Sequence, residues 1–357
     1  MAGKSVLIGM SGGVDSSVAA ALLKEQGYHV IGATMRLWSY SDSCDVKKHE
    51  GCCAESAVED ARRVCDKLGI DFYVMNFKDM FRDMVVDYFV DEYTHGRTPN
   101  PCIACNKYLK FNAFLKKALA MGIDYIATGH YAKIEQDKNG KYILRMSEAA
   151  KKDQSYVLYN FTQEQLAHTL MPLGGYDKEW VRKKAEELGL GVAHKRDSQE
   201  ICFVEDDDYA KFITEYSDYK PHEGDILDIN GNAIGRHRGI IYYTIGQRKG
   251  IGAYGRPMFV MKIDAENNTI TLGEKGMEFS NELTASDVNF ISGEPPKSEI
   301  KISARIRYQA PAVSATFAPL DETRVRLVFD TPVRAVTPGQ AVVFYDGDIV
   351  LGGGTVE

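Results

Sequence analysis

The sequence lacks the features that mark membrane-spanning and secreted proteins. No apolar run reaches the roughly 18 residues that a membrane-spanning helix needs. The apolar stretch that follows Lys4 is interrupted at once by SGGVDSS, so it is too short for the hydrophobic part of a signal peptide. We therefore predict a cytoplasmic protein that does not associate with a membrane.

The sequence has few cysteines, and its net charge is negative. In the cytoplasm, seven cysteines indicate catalysis, metal binding or buried thiols rather than a disulfide framework. The net charge of −7 argues against a general nucleic-acid-binding protein. Lysine and arginine are nevertheless clustered, as in VRKKAEE and AHKRDSQ, so a local basic surface is not excluded.

The first half of the chain alternates strand and helix patterns. KSVLIGM is a short apolar run typical of a buried parallel strand, and SSVAAALLKEQG after it has apolar residues at helical spacing and a terminal glycine. The alternation continues through HVIGATM, DFYVMNF and DYIATGH. It predicts an α/β fold, a doubly wound parallel sheet with helices on both faces, whose ligands bind at the carboxyl ends of the strands.

The second half of the chain changes to short β-rich runs separated by turn signals. This pattern begins near residue 222 and predicts small all-β domains. A proline-bearing stretch, SGEPPKSE at 292–299, reads as a linker. We predict a catalytic domain over 1–215, a small β-rich central domain over 216–285 and a C-terminal β-barrel over 286–357.

The loop after the first strand, GMSGGVDSS, has the composition of a phosphate-binding turn. Its glycines allow close backbone approach, and the following helix presents N–H groups to an anion. Ser11, Ser16 and Ser17 add hydroxyl groups, and Asp15 could order the loop or bind magnesium. The loop matches neither the Walker pattern nor G-x-G-x-x-G. It resembles the pyrophosphate loop of ATP-pyrophosphatases, although a plain serine-capped turn remains open.

Three cysteines in two stretches are candidates for chemistry. TPNPCIACNKYLKF contains Cys102 and Cys105, and HKRDSQEICFV contains Cys202 behind Lys195 and Arg196. Positive neighbours favour a reactive thiolate. We expect both stretches to lie in loops near strand ends. Half of a zinc site, a redox pair, a cluster ligand set and a sulfur-carrying site are all compatible with this pattern.

Seven motifs together resemble the tRNA-specific 2-thiouridylase family. They are GMSGGVDSSVAA, GRTPNPC, CNKYLKF, IATGHYA, KKDQSYVLY, DSQEICFV and YTIGQRKG, and they span nearly the whole chain. The resemblance implies an adenine nucleotide α-hydrolase-like catalytic domain. It also implies a sulfurtransferase that uses ATP and magnesium to replace O2 of the wobble uridine in certain tRNAs with sulfur. The implied partners are tRNA and a sulfur-donor protein.

The resemblance also assigns roles to individual residues. The positions that correspond to ATP-binding residues of the family are Gly9, Met10, Ser11, Gly12, Gly13, Val14, Asp15, Ser16, Met35 and Gly129. The segment that faces the target base corresponds to Asn100, Pro101 and Cys102. The tRNA-contacting positions correspond to His130, Lys152, Asp153, Gln154, Arg307, Tyr308 and Gln340. Cys105 corresponds to the nucleophile, and Cys202 to the carrier of the incoming persulfide. Attack by Cys105 would release sulfide and leave a Cys105–Cys202 disulfide.

Position 102 departs from the family pattern, because many members have aspartate there. The extra thiol leaves a second mechanism open, in which Cys102, Cys105 and Cys202 are the ligands of a [4Fe–4S] cluster that binds sulfide.

Two other classes of function remain open. An amide-forming ligase with the same loop would resemble an asparagine or GMP synthetase, and a non-catalytic tRNA-binding protein would retain the loop without using it. In the polar stretch at 39–56, Cys44, His49, Cys52 and Cys53 have ligand types suited to zinc, although a lid over the ATP site is the plainer interpretation. Cys65 is expected to be a small core residue.

Overall fold

Strands and helices alternate through the first half of the chain, as predicted. The computed structural model describes residues 3–38, 55–149, 152–196 and 201–357. The strands are β1 (Ser5–Gly9), β2 (His29–Arg36), β3 (Asp71–Asn76), β4 (Tyr125–Ala127), β5 (Ala132–Gln136), β6 (Tyr142–Met146) and β7 (Thr169–Leu170). The helices are α1 (Val14–Glu25), α2 (Glu55–Leu68), α3 (Lys78–Phe81), α4 (Asp87–Thr94), α5 (Pro101–Ala104), α6 (Phe114–Ala120), α7 (Gln163–Ala167) and α8 (Lys178–Glu187).

Five of these strands form a parallel sheet in the order β3-β2-β1-β4-β7. Alternate residues of β1 enter different cores: Leu7 packs in one cluster, while Val6 and Ile8 pack in another. All three are fully buried, which is why this strand is apolar throughout. From β1 the chain adds β2 and β3 on one side of the sheet, and then β4 and β7 on the other side. Ligands of such sheets bind at this switch point, between β1 and β4. The predicted doubly wound sheet is confirmed.

The paired cysteines of the first candidate stretch lie in a helix, so the expectation of a loop was wrong. Asn100 caps α5: its side-chain oxygen accepts hydrogen bonds from the backbone N–H groups of Cys102 (3.2 Å) and Ile103 (3.3 Å). Pro101 occupies the first turn, where its missing N–H has no cost. The helix continues into α6 through a π-helical segment, Cys105–Ala113. Cys102 and Cys105 therefore share the start of one long helix.

The second half of the chain forms two further sheets. It contains one α-helix, α9 (Tyr209–Tyr216), within the described residues, besides the short 3₁₀ turns Glu205–Asp207 and Ile240–Tyr242. The strands are β8 (Gly224–Leu227), β9 (Ala233–His237), β10 (Met258–Asp264), β11 (Thr269–Glu274), β12 (Phe279–Phe290), β13 (Ile300–Arg305), β14 (Val313–Pro319), β15 (Val325–Arg334), β16 (Ala341–Asp346) and β17 (Ile349–Val356). A four-stranded sheet has the order β10-β11-β8-β9.

The last six strands close into an antiparallel barrel, which confirms the predicted C-terminal β-barrel. Their order is β12-β15-β14-β13-β16-β17, and pairing of β12 with β17 completes the ring. The proline-bearing stretch at 292–299 is a loop between β12 and β13, so reading it as a linker was wrong. The domain boundaries after residues 215 and 285 stay a proposal, and β12 extends across the second of them.

One hairpin of the first half joins the barrel, which no local pattern predicted. Strands β5 and β6 pair with each other, and β6 pairs with β17. Arg145 of β6 forms an ion pair with Asp348, at 2.7 Å between Nη1 and Oδ1. The barrel is therefore bonded directly to the N-terminal half of the chain. No helix within the described residues is long and apolar enough to cross a membrane.

Candidate active site

The SGGVDS loop connects β1 to α1 at the switch point of the sheet. Gly12 has a φ of +68°, and a Cβ there would lie 2.2 Å from the carbonyl oxygen of Ala57. Glycine is required on both counts, because other residues rarely adopt this φ and any side chain would collide with α2. Gly13 occupies the N-cap position of α1. Since glycine has no side chain, no side-chain oxygen at this position accepts from the first N–H groups of the helix. This end of α1 is suited to an anion.

The serine hydroxyls brace the loop from within. The Ser16 hydroxyl accepts a hydrogen bond from the N–H of Ser11 (3.2 Å), and the Ser17 hydroxyl donates to the Gly13 carbonyl (2.8 Å). Both Ser16 and Ser17 are buried. Ser17 therefore shapes the loop, whereas the sequence had suggested it as a phosphate donor.

Residues from two other strands meet this loop. Gly129 follows β4 and packs against the first turn of α1: a Cβ on it would lie 2.7 Å from the nitrogen of Ser16. Met35 is the penultimate residue of β2, and its terminal methyl lies 3.6 Å from a Cβ placed on Gly9. The structure thus brings together Gly9, Met35, Gly129 and the loop, which are the positions predicted to bind ATP.

Two lysines bond to the loop from distant parts of the chain. Lys178 donates to both carboxylate oxygens of Asp15, at 2.8 and 2.7 Å, and the Tyr131 hydroxyl donates to the same carboxylate at 2.7 Å. Lys195 donates to the Gly12 carbonyl (3.1 Å) and to the Asp60 carboxylate (2.8 Å). Sequence reasoning assigned no role to either residue: Lys178 lies outside the seven motifs, and Tyr131 was part of IATGHYA without a role of its own. It had also assigned Lys195 to the activation of Cys202, not to the loop.

This arrangement bears on the predicted magnesium role of Asp15. Its negative charge is already balanced by the Lys178 ammonium, which weakens its attraction for a divalent cation. Asp15 fits better as the residue that orients Lys178 beside the phosphate site.

The three candidate thiols differ in their exposure. Cys102 is exposed, Cys105 is 7% exposed, and Cys202 is partly buried against the core that contains Cys105. No three His, Cys, Asp or Glu side chains among the described residues are grouped so that they could bind a metal ion. The arrangement of Cys102, Cys105 and Cys202 therefore does not fit a [4Fe–4S] cluster in this conformation. The stretch with Cys44, His49, Cys52 and Cys53 lies outside the described residues.

Comparison with known proteins identifies relatives over the whole chain. Family models described as the HUP domain and PRC-barrel domain of tRNA methyl transferase match 4–206 and 210–274, and one described as an aminomethyltransferase β-barrel domain matches 280–356. The tRNA-specific 2-thiouridylase MnmA of Acetivibrio thermocellus is 60% identical, with 100% of each chain covered. That of Clostridioides difficile is 56% identical, covering 99% of this chain and 98% of its own.

The chain belongs to the tRNA-specific 2-thiouridylase family. The family predicted from the seven motifs is confirmed. Among solved structures, a 4-thiouridine synthetase bound to RNA and ATP aligns with a TM-score of 0.38 and 17% identity, covering 60% of this chain and 50% of that one.

The tRNA-contacting positions implied by the thiouridylase family do not all face solvent. Asp153 is 5% exposed, accepts hydrogen bonds from Ser147 and Ser155, and forms an ion pair with Arg305 at 3.3 Å. Gln154 accepts a hydrogen bond from the N–H of Tyr131 at 2.9 Å. In this conformation the Asp153 side chain anchors the barrel to the catalytic half, and its contact with tRNA stays a prediction.

Tyr308, a barrel residue implied in tRNA contact, is 39% exposed. Its pKa is raised first by burial and then by the charges of Asp153 and Cys102. The charge of a helix residue implied in base contact therefore acts on this barrel side chain. Partly buried Lys152 is also in the described chain, next to Asp153.

Arg307 bonds within the protein. One guanidinium nitrogen, Nη2, donates to the carbonyls of Ile245 (3.2 Å) and Ala335 (3.1 Å) and to the Thr337 hydroxyl (2.6 Å). Burial, followed by repulsion from Arg334, lowers the pKa of Arg307. Its Nε is buried and has no hydrogen-bond partner among the described residues, so one N–H donor of this side chain is unsatisfied there.

Cys65, the remaining cysteine within the described residues, has a core position. Cys65 is fully buried, and burial followed by the charge of Asp66 raises its pKa to about 12, so it stays a protonated core thiol. This confirms the expected core role. Two rings of the segment Cys105–Ala113 differ in exposure: Phe111 is 3% exposed and belongs to the core, whereas Tyr108 is 36% exposed and lies at the surface.

His130 is held neutral, and this predicts an acid-sensitive stability. Its Nδ1 lies 2.8 Å from the Thr128 hydroxyl, and its ring lies 5.6 Å from that of Phe111. Burial, then the charge of Lys110, lowers its pKa well below 6.5. Since the unfolded chain binds the proton more readily, folding stability is lost as pH falls below 6.5, by at most about 1.4 kcal/mol per pH unit.

Denaturant unfolding of the wild type and of His130→Gln between pH 5 and 7.5 measures this effect. We expect the variant to lose less stability than the wild type on acidification below pH 6.5. Parallel losses in the two proteins would show that His130 is not the group responsible.

Proposed function

We propose that this chain adenylates O2 of the wobble uridine of certain tRNAs and replaces that oxygen with sulfur, releasing AMP and pyrophosphate. The observation that carries the proposal is the position of the SGGVDS loop at the switch point of the sheet, in a chain of this family. An amide-like oxygen is a poor leaving group, so it must be activated before sulfur can replace it, and attachment of AMP supplies that activation.

The first step uses the loop and its two lysines. The backbone N–H groups at the start of α1 would bind the ATP phosphates, and O2 of the uridine would attack the α-phosphate, with pyrophosphate leaving. Lys178 and Lys195 are each paired with a carboxylate at 2.7 to 2.8 Å, so their charges are fixed near the loop before ATP arrives. Preorganised charge of this kind stabilises the negative charge that develops during phosphoryl transfer. In this proposal magnesium would arrive bound to the ATP phosphates.

The second step uses the cysteines. A sulfur-donor protein would load Cys202 as a persulfide, Cys202–S–SH. The Cys105 thiolate would attack the inner sulfur, forming the Cys105–Cys202 disulfide and expelling HS⁻. HS⁻ would then add to C2 of the adenylated uridine, and AMP would leave with the former O2. A cellular thiol reductant would return the disulfide to two thiols.

The burial of the thiols supports this route. Cys105 is 7% exposed and so largely shielded from bulk water, whereas Cys202 packs against the same core but is only partly buried, which leaves it accessible to a sulfur donor. Since Cys102, Cys105 and Cys202 do not group as metal ligands here, no step is assigned to a cluster. The cytoplasmic location, predicted because the sequence lacks a signal peptide and a long apolar run, belongs to the same proposal.

Family membership also bears on the alternatives. The relatives are named as tRNA-modifying enzymes, which weighs against an amide-forming ligase and against a non-catalytic binding protein. The descriptions of the family models refer to methyl transfer. The paired thiols and the pyrophosphatase-type loop instead favour adenylation and sulfur transfer.

Isotope transfer tests the reaction directly. A tRNA carrying ¹⁸O at O2 of the wobble uridine is incubated with ATP, a persulfide donor and the enzyme, and AMP is analysed by mass spectrometry. We expect one ¹⁸O in each AMP, formed only when that tRNA is present. A tRNA with cytidine at the wobble position is the control. Unlabelled AMP, or AMP formed without tRNA, would contradict adenylation of the uridine.

A further inference from the structure

The segment that precedes the cysteine helix relies on the barrel for its hydrogen bonds. Residues 95–100 connect α4 to α5, and neither Pro99 in this segment nor Pro101 at the start of α5 has an N–H group. The N–H of Thr98 donates to the carbonyl of Pro338 at 2.9 Å. The Gln340 amide nitrogen donates to the carbonyls of Thr98 (2.8 Å) and Pro99 (3.4 Å).

These contacts come from residues 337–340, which we call the barrel turn. The turn is fixed by its own bonds: the N–H of Gln340 donates to the Thr337 carbonyl at 3.1 Å, and Gly339 and Gln340 exchange backbone hydrogen bonds with Val356 at 2.9 and 2.8 Å. Arg307 donates to the Thr337 hydroxyl. The barrel turn is thus a rigid part of the barrel, not a mobile loop lying on the catalytic half.

The fit between the two surfaces is close. Gly339 has a φ of +87°, and a Cβ on it would lie 3.0 Å from both the nitrogen of Thr98 and the Oε2 atom of Glu92. Glu92 is 7% exposed and is paired with Arg97, whose Nε lies 2.9 Å from that same oxygen. The barrel turn therefore packs against both the end of α4 and the segment that follows it.

The next residue along the chain is the cap of the cysteine helix. Asn100 accepts from the N–H groups of Cys102 and Ile103. The barrel contacts at Thr98 and Pro99 therefore sit immediately before the residue that fixes where α5 starts. A shift of this segment would move the cap, and with it the thiols of Cys102 and Cys105.

We infer that Gln340 is a positioning residue. Through Thr98 and Pro99 it fixes the start of the cysteine helix, whereas the family resemblance implies a contact with tRNA. The kinetic consequence rests on the proposed function. A misplacement of about 1 Å at a reacting group can cost roughly a hundredfold in rate, so even a partial release of this segment would slow sulfur transfer.

Gln340→Ala tests the inference, with Gln340→Glu as a second variant whose carboxylate faces the two carbonyls. Tyr156→Phe is the matched control, because it removes a hydrogen bond from the Tyr156 hydroxyl to the Ala341 carbonyl (2.7 Å) at the same junction without contacting residues 98–99. We expect thiolation at saturating tRNA to fall about tenfold in both Gln340 variants, with the Kd for tRNA unchanged within about twofold. The control should thiolate as the wild type does.

Alkylation of Cys102 by iodoacetamide, followed by peptide mass spectrometry, gives a readout independent of thiolation. Exposed Cys102 lies in the first turn of α5, so its alkylation rate should change at least about threefold in the Gln340 variants and stay constant in Tyr156→Phe. Weakened tRNA binding with unchanged turnover at saturation would overturn the inference, as would unchanged turnover and alkylation. If the wild type itself fails to thiolate tRNA, the proposed function fails, while the alkylation comparison still decides the role of Gln340.

Discussion

Replacing Cys202 by serine is expected to lower thiolation of the wobble uridine by at least about a thousandfold, because a hydroxyl cannot carry the persulfide sulfur. The affinity for tRNA should stay within about threefold, since Cys202 is half-buried and one side chain contributes little to a contact surface dominated by phosphates. AMP formation from labelled tRNA and mass spectrometry of the thiolated nucleoside would be measured on the same samples.

Cys65→Ala is the matched control for this substitution. Cys65 is fully buried and its sulfur lies 2.5 Å from the position that a Cβ on Gly32 would occupy, so it fills the space beside a glycine in β2. We expect the control to lose about 1 kcal/mol of stability and to retain thiolation. Wild-type thiolation by Cys202→Ser would refute the role of Cys202. Activity that appears only after anaerobic iron–sulfur reconstitution would refute the persulfide route.

Replacing Gly129 by alanine is expected to weaken ATP binding about a hundredfold and to abolish tRNA-dependent AMP formation in proportion. The added methyl carbon would lie 2.7 Å from the nitrogen of Ser16 and 2.8 Å from the carbonyl carbon of Asp15, both in the first turn of α1. Both contacts are with backbone, so the turn itself must move. Its N–H groups would then no longer point at the phosphate site.

Gly175→Ala is the control for a glycine substitution without a clash, because a Cβ there has no heavy atom of the described residues within 4 Å. ATP affinity would be measured by calorimetry on proteins whose thermal unfolding remains cooperative. We expect the control to bind ATP as the wild type does. Equal ATP affinity of Gly129→Ala and the wild type would show that the phosphates do not bind at this turn.

The local patterns of the sequence determined the elements of the catalytic half and the chemistry of its loop. An apolar run such as KSVLIGM suits a strand buried on both faces, and β1 has that environment. SGGVDS indicates a phosphate-binding turn because its glycines and serines act within a few residues of one another. The motif set identified the family for the same reason, since each motif is short and complete in itself.

Helix boundaries were less predictable where one polar contact decided them. The proline-rich TPNPC suggested a loop, yet Asn100 caps a helix from Pro101 onward, which places Cys102 and Cys105 on its first turns. A cap depends on the rotamer of one side chain as well as on its identity, so the pattern alone left both outcomes open.

Contacts between distant residues were decided only by the tertiary structure. Lys178 reaches Asp15 across 163 positions, and Gln340 reaches Thr98 across 242. Strand β6 joins a barrel whose other strands begin at Phe279. Sequence periodicity reports which face of an element is buried, whereas the partner on that face depends on how all the elements pack. The sequence by itself therefore determined the reaction class, and the packing decided which side chains orient the reacting groups.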